Sequence, residues 1–416
     1  MHKIRIGDYF EVYDGAHATP KKTDEGPVYL GIDAITNDGK INPSGYAHLP
    51  KEDYIKWSKR VKPQYGDLVF SYEATLGRYA LIPKNFYGCL GRRLALLRAK
   101  NEKINIRWLY YYFLSPEWTA YIINHTIKGS TVNRISVEDF PDFEITYIDR
   151  DRQDRIVDVL SAIDAKIDLN VAINDNLQHQ LKLMYDYWFT QFDFPDDNGK
   201  PYRSYGGIMV WNEQLKRNIP VDWQVISICD NDLFYIIKPG INIFCGQKTY
   251  LATADIVGTT IFKGNNIDYE TRESRANMQP SEFSVWFAKM KNSVKHLNLN
   301  CEMKSIIEDS VLSTGFCGLQ CNLLSFEYIA TFIEHSYFET IKDTLAHGAT
   351  QEAVNNDDLC NIMLLKPSKR VLNLYHEKTK EIYAQISNNI CENQKLSQLR
   401  DWLLPMLMNG QAAIAD

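Results

Sequence analysis

The sequence predicts an α+β protein in which one kind of unit occurs twice: a globular domain followed by a long helix. Two observations support this fold class. Residues 129–177 align without gaps on residues 348–396 with nine identities in 49 positions, where a background match rate of roughly 6% gives about three. The helical part of each copy also has the seven-residue spacing of a coiled coil. A repeat this long indicates a duplicated domain, because solenoid units have only about 20–50 residues.

The chain divides into four predicted segments: a globular domain at 1–150, a helix with its linker at 151–204, a second globular domain at 205–370 and a C-terminal helix at 371–416. Each globular part mixes short β-like runs, such as DLVFSY and EFSVWFAKM, with one helix-like stretch. Residues 193–207 are rich in Pro, Gly, Asp and Tyr, which predicts a linker. Pro405 and the NGQ that follows it predict the end of the second helix.

The two helices are expected to pack as an antiparallel coiled coil with pseudo-two-fold symmetry. In each copy two asparagines, four residues apart, interrupt the apolar seam. A buried asparagine needs a matching amide and so selects one register, which would pair Asn170 with Asn393 and Asn174 with Asn389. The alternative is that these asparagines lie at a solvated edge. The predicted interface residues are Ile163, Ile167, Asn170, Asn174, Leu177, Ile382, Ile386, Asn389, Asn393 and Leu396, with Arg400 where a leucine is expected.

Composition favours a globular protein of at least two domains, with 416 residues, 45% hydrophobic and 24% charged. The apolar runs are too short and too interrupted by charge for a membrane span. The start of the sequence has no apolar signal core, so a cytoplasmic location is expected.

Eight cysteines are scattered along the chain. Only Cys317 and Cys321, in CGLQC, come near the spacing of a ligand pair, and no histidine or second pair stands at zinc-site spacing. We therefore expect no metal site, and cysteines that are buried, reduced thiols.

The net charge of −6 argues against a uniformly basic protein. It conceals a basic stretch from Thr75 to Arg134, with ten basic residues and two acidic ones. Phosphate binding needs such a local patch, whatever the global sum.

Several segments together resemble one family. These are GDLVFSYEATLGRYALIP with GCLGRRLALLR, LSAIDAKIDLNVAINDNL with YDYWFTQFDFPDDNGKPY, and FAKMKNSVKHL, LSTGFCGLQC and LRDWLLPMLMNGQ. They are similar to the specificity subunit of type I restriction–modification systems. The resemblance covers essentially the whole chain and is most specific in the helices and the linker.

The resemblance implies two target recognition domains, each of which reads one half of a split double-stranded DNA target. The helices are implied to act as a spacer and to dock two copies of an adenine-N6 methyltransferase subunit. A restriction subunit, which is an ATP-driven translocase and nuclease, would join that complex. S-adenosylmethionine, ATP and Mg²⁺ are then cofactors of the partners, and none is expected in this chain.

The residues agree with a chain that is not an enzyme. It has no phosphate loop, nucleophile elbow or amino-methyltransferase motif. Asp142 with Asp164 and Lys166 outlines a metal-dependent nuclease site only loosely, and the second copy does not keep it. A protein-binding coiled-coil adaptor without base readout is the main alternative, against which the basic stretch and the paired domains argue.

Candidate DNA contacts in the first domain are polar or cationic residues in predicted loops. Lysine and arginine supply phosphate contacts, and arginine also forms the bidentate pair with guanine. Arg92 and Arg93 have the alternative of being ordinary salt-bridged surface residues. The candidates are Thr19, Lys21, Lys22, Thr75, Arg78, Arg92, Arg93 and Arg134.

In the second domain the segment AKMKNSVK predicts a strand whose lysines share one face and could follow the phosphates. The alternative is a solvated strand face. Polar residues around the Gly-rich segment at 313–320 could touch bases. The candidates are Lys248, Lys289, Lys291, Asn292, Lys295, Ser313, Thr314 and Gln320.

The repeat is plainest in GSTVNRISVEDF at 129–140 and GATQEAVNNDDL at 348–359. The shared glycine predicts a tight loop, and SVED and NNDD predict a helix N-cap with acids in the first turn. Arg134 stands opposite Ala353, where two half-sites would need different chemistry. A helix of roughly 40 residues spans about 60 Å, against about 34–36 Å for a DNA turn. The sequence therefore predicts a bipartite target with an unspecified spacer.

Overall fold

The computed structural model describes residues 2–129, 132–262, 264–348 and 351–412. Thr131 and Thr350 of the repeated motif lie outside the described residues, as does the end of the predicted C-terminal segment. No helix within the described ranges is long and apolar enough to cross a membrane. The chain divides into two compact units: unit 1 is residues 1–165 with 398–416, and unit 2 is residues 166–397.

Unit 1 mixes short strands with a helical pair, as the α+β prediction requires. Its helices are Ile106–Phe113 and Pro116–Asn124, with single turns at Ile6–Tyr9 and Tyr54–Trp57. Short 3₁₀ turns lie at Ile32–Ala34, Pro43–Gly45, Lys51–Asp53 and Phe140–Asp142. Its strands are His2–Arg5, Phe10–Asp14, Thr23–Leu30, Ala47–His48, Leu68–Ser71, Tyr79–Leu81, Gly88–Leu90, Leu94–Ala99 and Glu144–Tyr147.

Unit 2 repeats this plan with additional strands. Its helices are Lys304–Asp309, Phe326–Glu334, Ser336–Leu345 and Asn356–Leu359, with 3₁₀ turns at Thr253–Asp255 and Cys301–Met303. Its strands are Met209–Asn212, Arg217–Pro220, Gln224–Ser227, Phe234–Ile236, Gln247–Leu251, Ile256–Val257, Thr260–Ile261, Asn265–Asp268, Ala276–Met278, Ser284–Ala288, His296–Leu299, Ser310–Ser313, Phe316–Cys321 and Met363–Lys366.

Two long helices run from one unit into the other. The first is Arg150–Tyr185, continued by a π-helical turn at Asp186–Thr190, and the second is Lys369–Met408. The second helix passes through Pro405, so the prediction that this proline helps to end the helix is wrong. The helix ends three residues later, before Gly410, whose φ of +77° is left-handed and favours glycine.

The strand pairings show that the repeat is structural. Each unit has an antiparallel four-stranded sheet: Phe10–Asp14, Leu94–Ala99, Leu68–Ser71 and Tyr79–Leu81 in unit 1, and Phe234–Ile236, Phe316–Cys321, Ser284–Ala288 and His296–Leu299 in unit 2. Each also has a two-stranded ribbon that closes the domain, with Ile4 opposite Ile145 in one and Ile226 opposite Leu364 in the other. The duplicated domain inferred from sequence identity is therefore duplicated in topology.

Aromatic side chains fill much of both cores. In unit 1 Trp118 stacks on Phe113 with ring centroids 4.2 Å apart, and the C-terminal turn of the second long helix adds Leu404 and Leu407. In unit 2 the predicted linker is packed against the domain, because Phe194 is buried and its ring lies 5.1 Å from that of Trp223. Buried aromatic area of this kind is a large part of what holds such a domain together.

One pair of cysteines departs from the expectation of reduced, buried thiols. Cys229 and Cys360 form a disulfide that links the two chains of the ribbon in unit 2 at one end, beside the pair Ser227 and Met363. In unit 1 the equivalent positions are Gly7 and Pro141, which lie so close that a Cβ on Gly7 would be 2.8 Å from that of Pro141. The sequence could not show this contact because 131 positions separate the two cysteines. Cys89, Cys317 and Cys321 are free and buried, as expected.

Candidate nucleic-acid interface

Three connections of unit 1 meet at one end of the four-stranded sheet. They are the hairpin loop at 72–78, the turn at 91–93 and the segment formed by residues 127–129 and 132–134. The Tyr72 amide donates to the Arg93 carbonyl over 3.1 Å, and the Ala74 amide donates to the Asn133 carbonyl over 3.1 Å. The structure thus brings together the connections that carry four predicted first-domain residues, although these are far apart in sequence: Thr75, Arg92, Arg93 and Arg134.

The arginines of this loop cluster differ in how free they are. Arg92 and Arg134 are exposed. Arg93 has a left-handed φ of +71° and its Nε lies 3.0 Å from the Glu73 carboxylate, so it is ion-paired within the cluster. Arg92 and Arg134 are therefore the cations of this cluster that are best placed for phosphate or guanine contacts.

Arg78 has a structural partner that the sequence did not indicate. Its Nη1 donates to the carbonyl of Ile32 over 2.9 Å and to the carbonyl of Ile35 over 2.8 Å. These bonds tie the hairpin to the turn that follows strand Thr23–Leu30. Thr75, at the tip of the same loop, is exposed.

Thr19, Lys21 and Lys22 lie in the exposed connection before strand Thr23–Leu30. None of the hydrogen bonds that join the three connections of the cluster involves this segment. A role for these residues in DNA binding stays a prediction.

Unit 2 has the same loop cluster with different side chains. The Lys289 amide donates to the Gly315 carbonyl over 3.0 Å, and the Lys291 amide donates to the Glu352 carbonyl over 3.0 Å. The main chains of Met290 and Ala353 form an isolated antiparallel β-bridge, as those of Glu73 and Arg134 do in unit 1. The alignment of Arg134 with Ala353 is therefore also a structural equivalence.

The prediction of one strand through the lysines of this segment is wrong. Strand Ser284–Ala288 ends before Lys289, and the next strand begins at His296. Residues 289–295 form the connecting hairpin loop, in which Asn292 is exposed and has a left-handed φ of +55°. The alternation of lysines that suggested a strand face is thus the pattern of a loop.

The lysines of this loop are partly occupied by the protein. Lys291 pairs with Glu352 at 2.7 Å, and the Lys295 ammonium donates to the carbonyl of Thr253. Lys295 is the counterpart of Arg78. Each cation holds its hairpin to the turn after the equivalent strand, which is Thr23–Leu30 in unit 1 and Gln247–Leu251 in unit 2. Lys248 lies elsewhere, with its ammonium 5.3 Å from the centre of the Phe244 ring.

The polar residues around 313–320 are also held by the protein. Ser313 is buried and accepts the Gly315 amide over 3.1 Å. The Thr314 amide donates to the Arg275 carbonyl over 2.9 Å, and the Gln320 side chain donates to the Glu282 carbonyl over 2.7 Å. Of the three candidates, Thr314 lies in the turn that joins the loop cluster, as the counterpart of Arg92.

What the sequence reasoning missed are the acids beside the candidate cations, Glu73 and Glu352. They turn Arg93 and Lys291 into parts of the loop scaffold. Glu73 aligns with Met290, which lies between the candidates Lys289 and Lys291, and Glu352 precedes Ala353, the counterpart of Arg134. This adjacency is the signal in the sequence that could have identified the two acids.

The repeated glycine of the 129–140 motif has one physical cause in both units. A Cβ on Gly129 would lie 2.3 Å from the Val132 carbonyl oxygen, and one on Gly348 would lie 2.3 Å from that of Gln351. The predicted N-cap also forms in unit 2, where the Asn355 side chain accepts the Asp358 amide over 2.8 Å.

In unit 2 the asparagines of the two long helices meet in the predicted register. Asn170 donates to Asn393 over 2.9 Å, and Asn389 donates to Asn174 over 2.8 Å, which makes the helices antiparallel here. Lys166 extends the polar layer by pairing with Glu392 at 3.0 Å. The hydrogen bond from Asn170, followed by that from Lys166, lowers the pKa of Glu392, so the acceptor stays ionised.

The apolar positions of the seam surround these amides. Within unit 2, Ile167 and Ile386 are buried, while Leu177, Ile382 and Leu396 are partly buried. Ile163 is buried in unit 1.

Arg400, which replaces an expected leucine, has a partner in unit 1. Its Nη1 lies 3.0 Å from Asp164, and Asp164 also accepts the Tyr111 hydroxyl over 2.6 Å. Burial, together with the charge of Asp164, raises the pKa of Tyr111 and keeps that hydroxyl protonated. Asp164 is thus part of a structural ion pair. No group of three or more potential metal ligands occurs in the part of the chain that the structure describes.

Comparison with known proteins agrees with these features. The family model for the type I restriction modification DNA specificity domain matches residues 1–179. The HindI specificity subunit of Haemophilus influenzae is 20% identical over 398 residues, covering 83% of this chain and 86% of that protein. The MjaIX specificity subunit of Methanocaldococcus jannaschii is 22% identical over 389 residues, covering 89% of this chain and 83% of that protein. Residues 1–179 therefore carry the type I restriction–modification DNA specificity domain.

Specificity subunits of this family recognise DNA sequence together with the other subunits of a type I system. Among solved structures, the S subunit from M. genitalium is 14% identical, covers 98% of this chain and 95% of its own length, and superposes with a TM-score of 0.49.

Proposed function

We propose that this chain is a specificity subunit that reads a bipartite DNA target, with one half-site assigned to each loop cluster. The observation that carries the proposal is the loop cluster itself, which is built twice on the same hydrogen bonds with different side chains. Arg92 and Arg134 in one copy correspond to Thr314 and Ala353 in the other. Shared backbone geometry with divergent side chains is what two different base sequences require.

The exposed cations give the first cluster its chemistry. Arg92 and Arg134 supply phosphate contacts or a bidentate pair with guanine. In the second cluster Lys289 and Asn292 lie in the hairpin loop, and asparagine pairs well with adenine. The shape of the loops and the deformability of the DNA decide the sequence that is read.

The two long helices, in this proposal, set the spacing of the half-sites and dock two adenine-N6 methyltransferase subunits. Support comes from a repeated apolar position outside the seam. Leu183 on the first helix is 55% exposed, and its counterpart on the second, Trp402, is 57% exposed. Large apolar side chains at equivalent exposed positions are suited to two copies of one partner.

The chain itself is proposed to be non-catalytic and to act in the cytoplasm, where its DNA substrate is. S-adenosylmethionine would belong to the methyltransferase subunits, and ATP with Mg²⁺ to a restriction and translocation subunit. Among the residues of the two clusters that the structure describes, Arg93 pairs with Glu73 and Lys291 pairs with Glu352, as parts of the loop scaffold.

Methylome sequencing of a heterologous host that carries the chain with its methyltransferase tests the proposal. The expected result is adenine methylation in a motif of two short blocks around an unspecified spacer. A continuous motif would refute the bipartite readout. Methylation without sequence preference would favour the protein-binding adaptor, and methyl transfer by the purified chain alone would contradict the non-catalytic role.

A further inference from the structure

The hairpin loop at 289–295 rests on a buried lysine. Lys342, on helix Ser336–Leu345, has a side chain that is 0% exposed. Its ammonium donates to the Ser293 carbonyl over 3.2 Å and to the Glu339 carboxylate over 2.6 Å. A fully buried ammonium is costly unless it is paired. Of the two hydrogen bonds just given, the one to Ser293 holds the main chain of the loop.

Other charged groups extend the contact in both directions. The Glu339 carboxylate also lies 2.9 Å from Nε2 of His296, the residue that follows the loop. The Asp343 carboxylate accepts the Asn292 amide over 3.1 Å and lies 3.7 Å from Lys342. The network therefore holds the main chain of two successive loop residues and the strand into which they lead.

The first domain shows that the fold does not need these charges. Counted from the helix N-caps Ser115 and His335, the counterpart of Lys342 is Ile122, which is buried and apolar. The counterpart of Glu339 is Thr119. An apolar residue at this place in the helix thus packs well, and a buried ion pair is by itself weak evidence for stability.

The equivalent loop of the first domain is fastened in another way. There Glu73 and Arg93 pair at 3.0 Å, where the second domain has Met290 and Gly315. Each domain thus anchors the same loop with charges, but from different elements. The shared feature is an immobilised loop, which indicates that the position of the loop matters.

We propose that Lys342 is a positioning residue for sequence readout by the second domain. With Glu339 and Asp343 it fixes the main chain of loop 289–295, so that the exposed Asn292 meets DNA in one conformation. Without the anchor the loop keeps its side chains but samples other positions, and contacts to the wrong base become nearly as good as contacts to the right one. This inference rests on the proposed bipartite readout.

The test uses the full chain assembled with its methyltransferase. Methylation rates are measured on duplexes that carry the target intact or with one mismatch in either half. Lys342→Met should reduce discrimination against mismatches about tenfold in one half only, within the range that a single mismatch is worth. That half should be the one that Arg134→Ala leaves unchanged. Lys342→Arg, which keeps the charge and the donors, should restore part of the discrimination.

Two further variants keep the result interpretable. Lys304→Met removes an exposed lysine of the same unit, which pairs with Glu308 on the surface, and should leave both halves unchanged. Asp343→Ala removes the anchor of Asn292 at a partly exposed position and should reproduce the loss in the same half without unfolding the domain. This variant decides the question if Lys342→Met does not fold.

Uniform loss of methylation with unchanged discrimination in both halves would overturn the inference, because it would mean that Lys342 supports only the fold. Unchanged discrimination in Asp343→Ala would overturn it as well. A wild-type complex that shows no bipartite motif would instead refute the proposed function, so the two failures are distinguishable.

Discussion

Asn389 donates a hydrogen bond of 2.8 Å to the side-chain oxygen of Asn174, and both amides are buried between the long helices. The chain of bonds continues on both sides: Gln385 donates to Asn389 over 2.8 Å, and Asn174 donates to the Ile386 carbonyl over 3.3 Å. A shift of one helix by one turn would separate these partners. The amides therefore define the register that the apolar seam alone would leave open.

Removal of one amide should cost more than removal of both. Asn174→Leu leaves Asn389 buried without its acceptor, and the free energy of unfolding should fall by about 1–3 kcal/mol. The double variant with Asn389→Leu should recover most of this loss, because apolar groups of similar size fill the layer. Urea denaturation of the three proteins measures the difference. Equal losses in the single and the double variant would contradict the pairing.

The sequence was sufficient for the features that depend on local pattern. The heptad spacing predicts both helices. It also pairs Asn170 with Asn393, because both copies have asparagines at the same two positions of the seam. The duplicated domain followed from the repeat at 129–177. These predictions succeed because period and spacing are properties of the chain itself.

Contacts between distant segments could not be obtained in this way. Nothing near Arg78 or Lys295 shows that each donates to a carbonyl more than forty residues away. The sequence of 289–295 predicts a strand although the segment is a loop, because alternating lysines look alike in a strand and in a loop. Which cations are free for DNA depends on acids such as Glu73, and tertiary packing brings them there.

Arg134 should contribute to DNA binding, because it is an exposed cation within the first loop cluster. Arg134→Ala should weaken binding of the assembled complex by about 1–3 kcal/mol if it pairs with a base, with relaxed specificity at that position. If it binds a phosphate, the loss should be uniform across sequences and the salt slope should fall by about one. Lys3→Ala is the matched control, since Lys3 lies on the closing ribbon beside Glu144. Equal effects of the two substitutions would exclude a specific role for Arg134.

The disulfide of unit 2 should stabilise it. Cys229 and Cys360 close a segment with a sequence separation of 131, and such a cross-link typically contributes about 2–4 kcal/mol by restricting the unfolded chain. The double variant Cys229→Ser with Cys360→Ser should lose about that much in urea denaturation. Cys245→Ser, at an exposed free cysteine, should be neutral. Thiol titration of the unfolded, unreduced protein should find six free thiols of eight, and a count of eight would contradict the bond.

Glu334 should make the stability of unit 2 depend on pH. It lines a cavity of about 280 Å³ beside His296 and His335, and it accepts a hydrogen bond of 2.6 Å from Asn298. Burial raises the pKa of Glu334 above its ordinary value of 4.5, against the opposing effects of His296 and Asn298. Because the folded-state pKa is raised, the favourable contribution of the protonated carboxyl is complete below pH 4.5 and is lost as the pH rises through the folded-state pKa.

Glu334→Gln tests this effect, because glutamine keeps the acceptor for Asn298 and cannot ionise. The variant should be more stable than the wild type at pH 7, and the difference should shrink as the pH falls towards 4.5. Urea denaturation at both pH values gives the two differences. Glu308→Gln, at an exposed carboxyl, should show no comparable change. A difference that is the same at pH 7 and at pH 4.5 would mean that the Glu334 carboxyl is not perturbed by its burial.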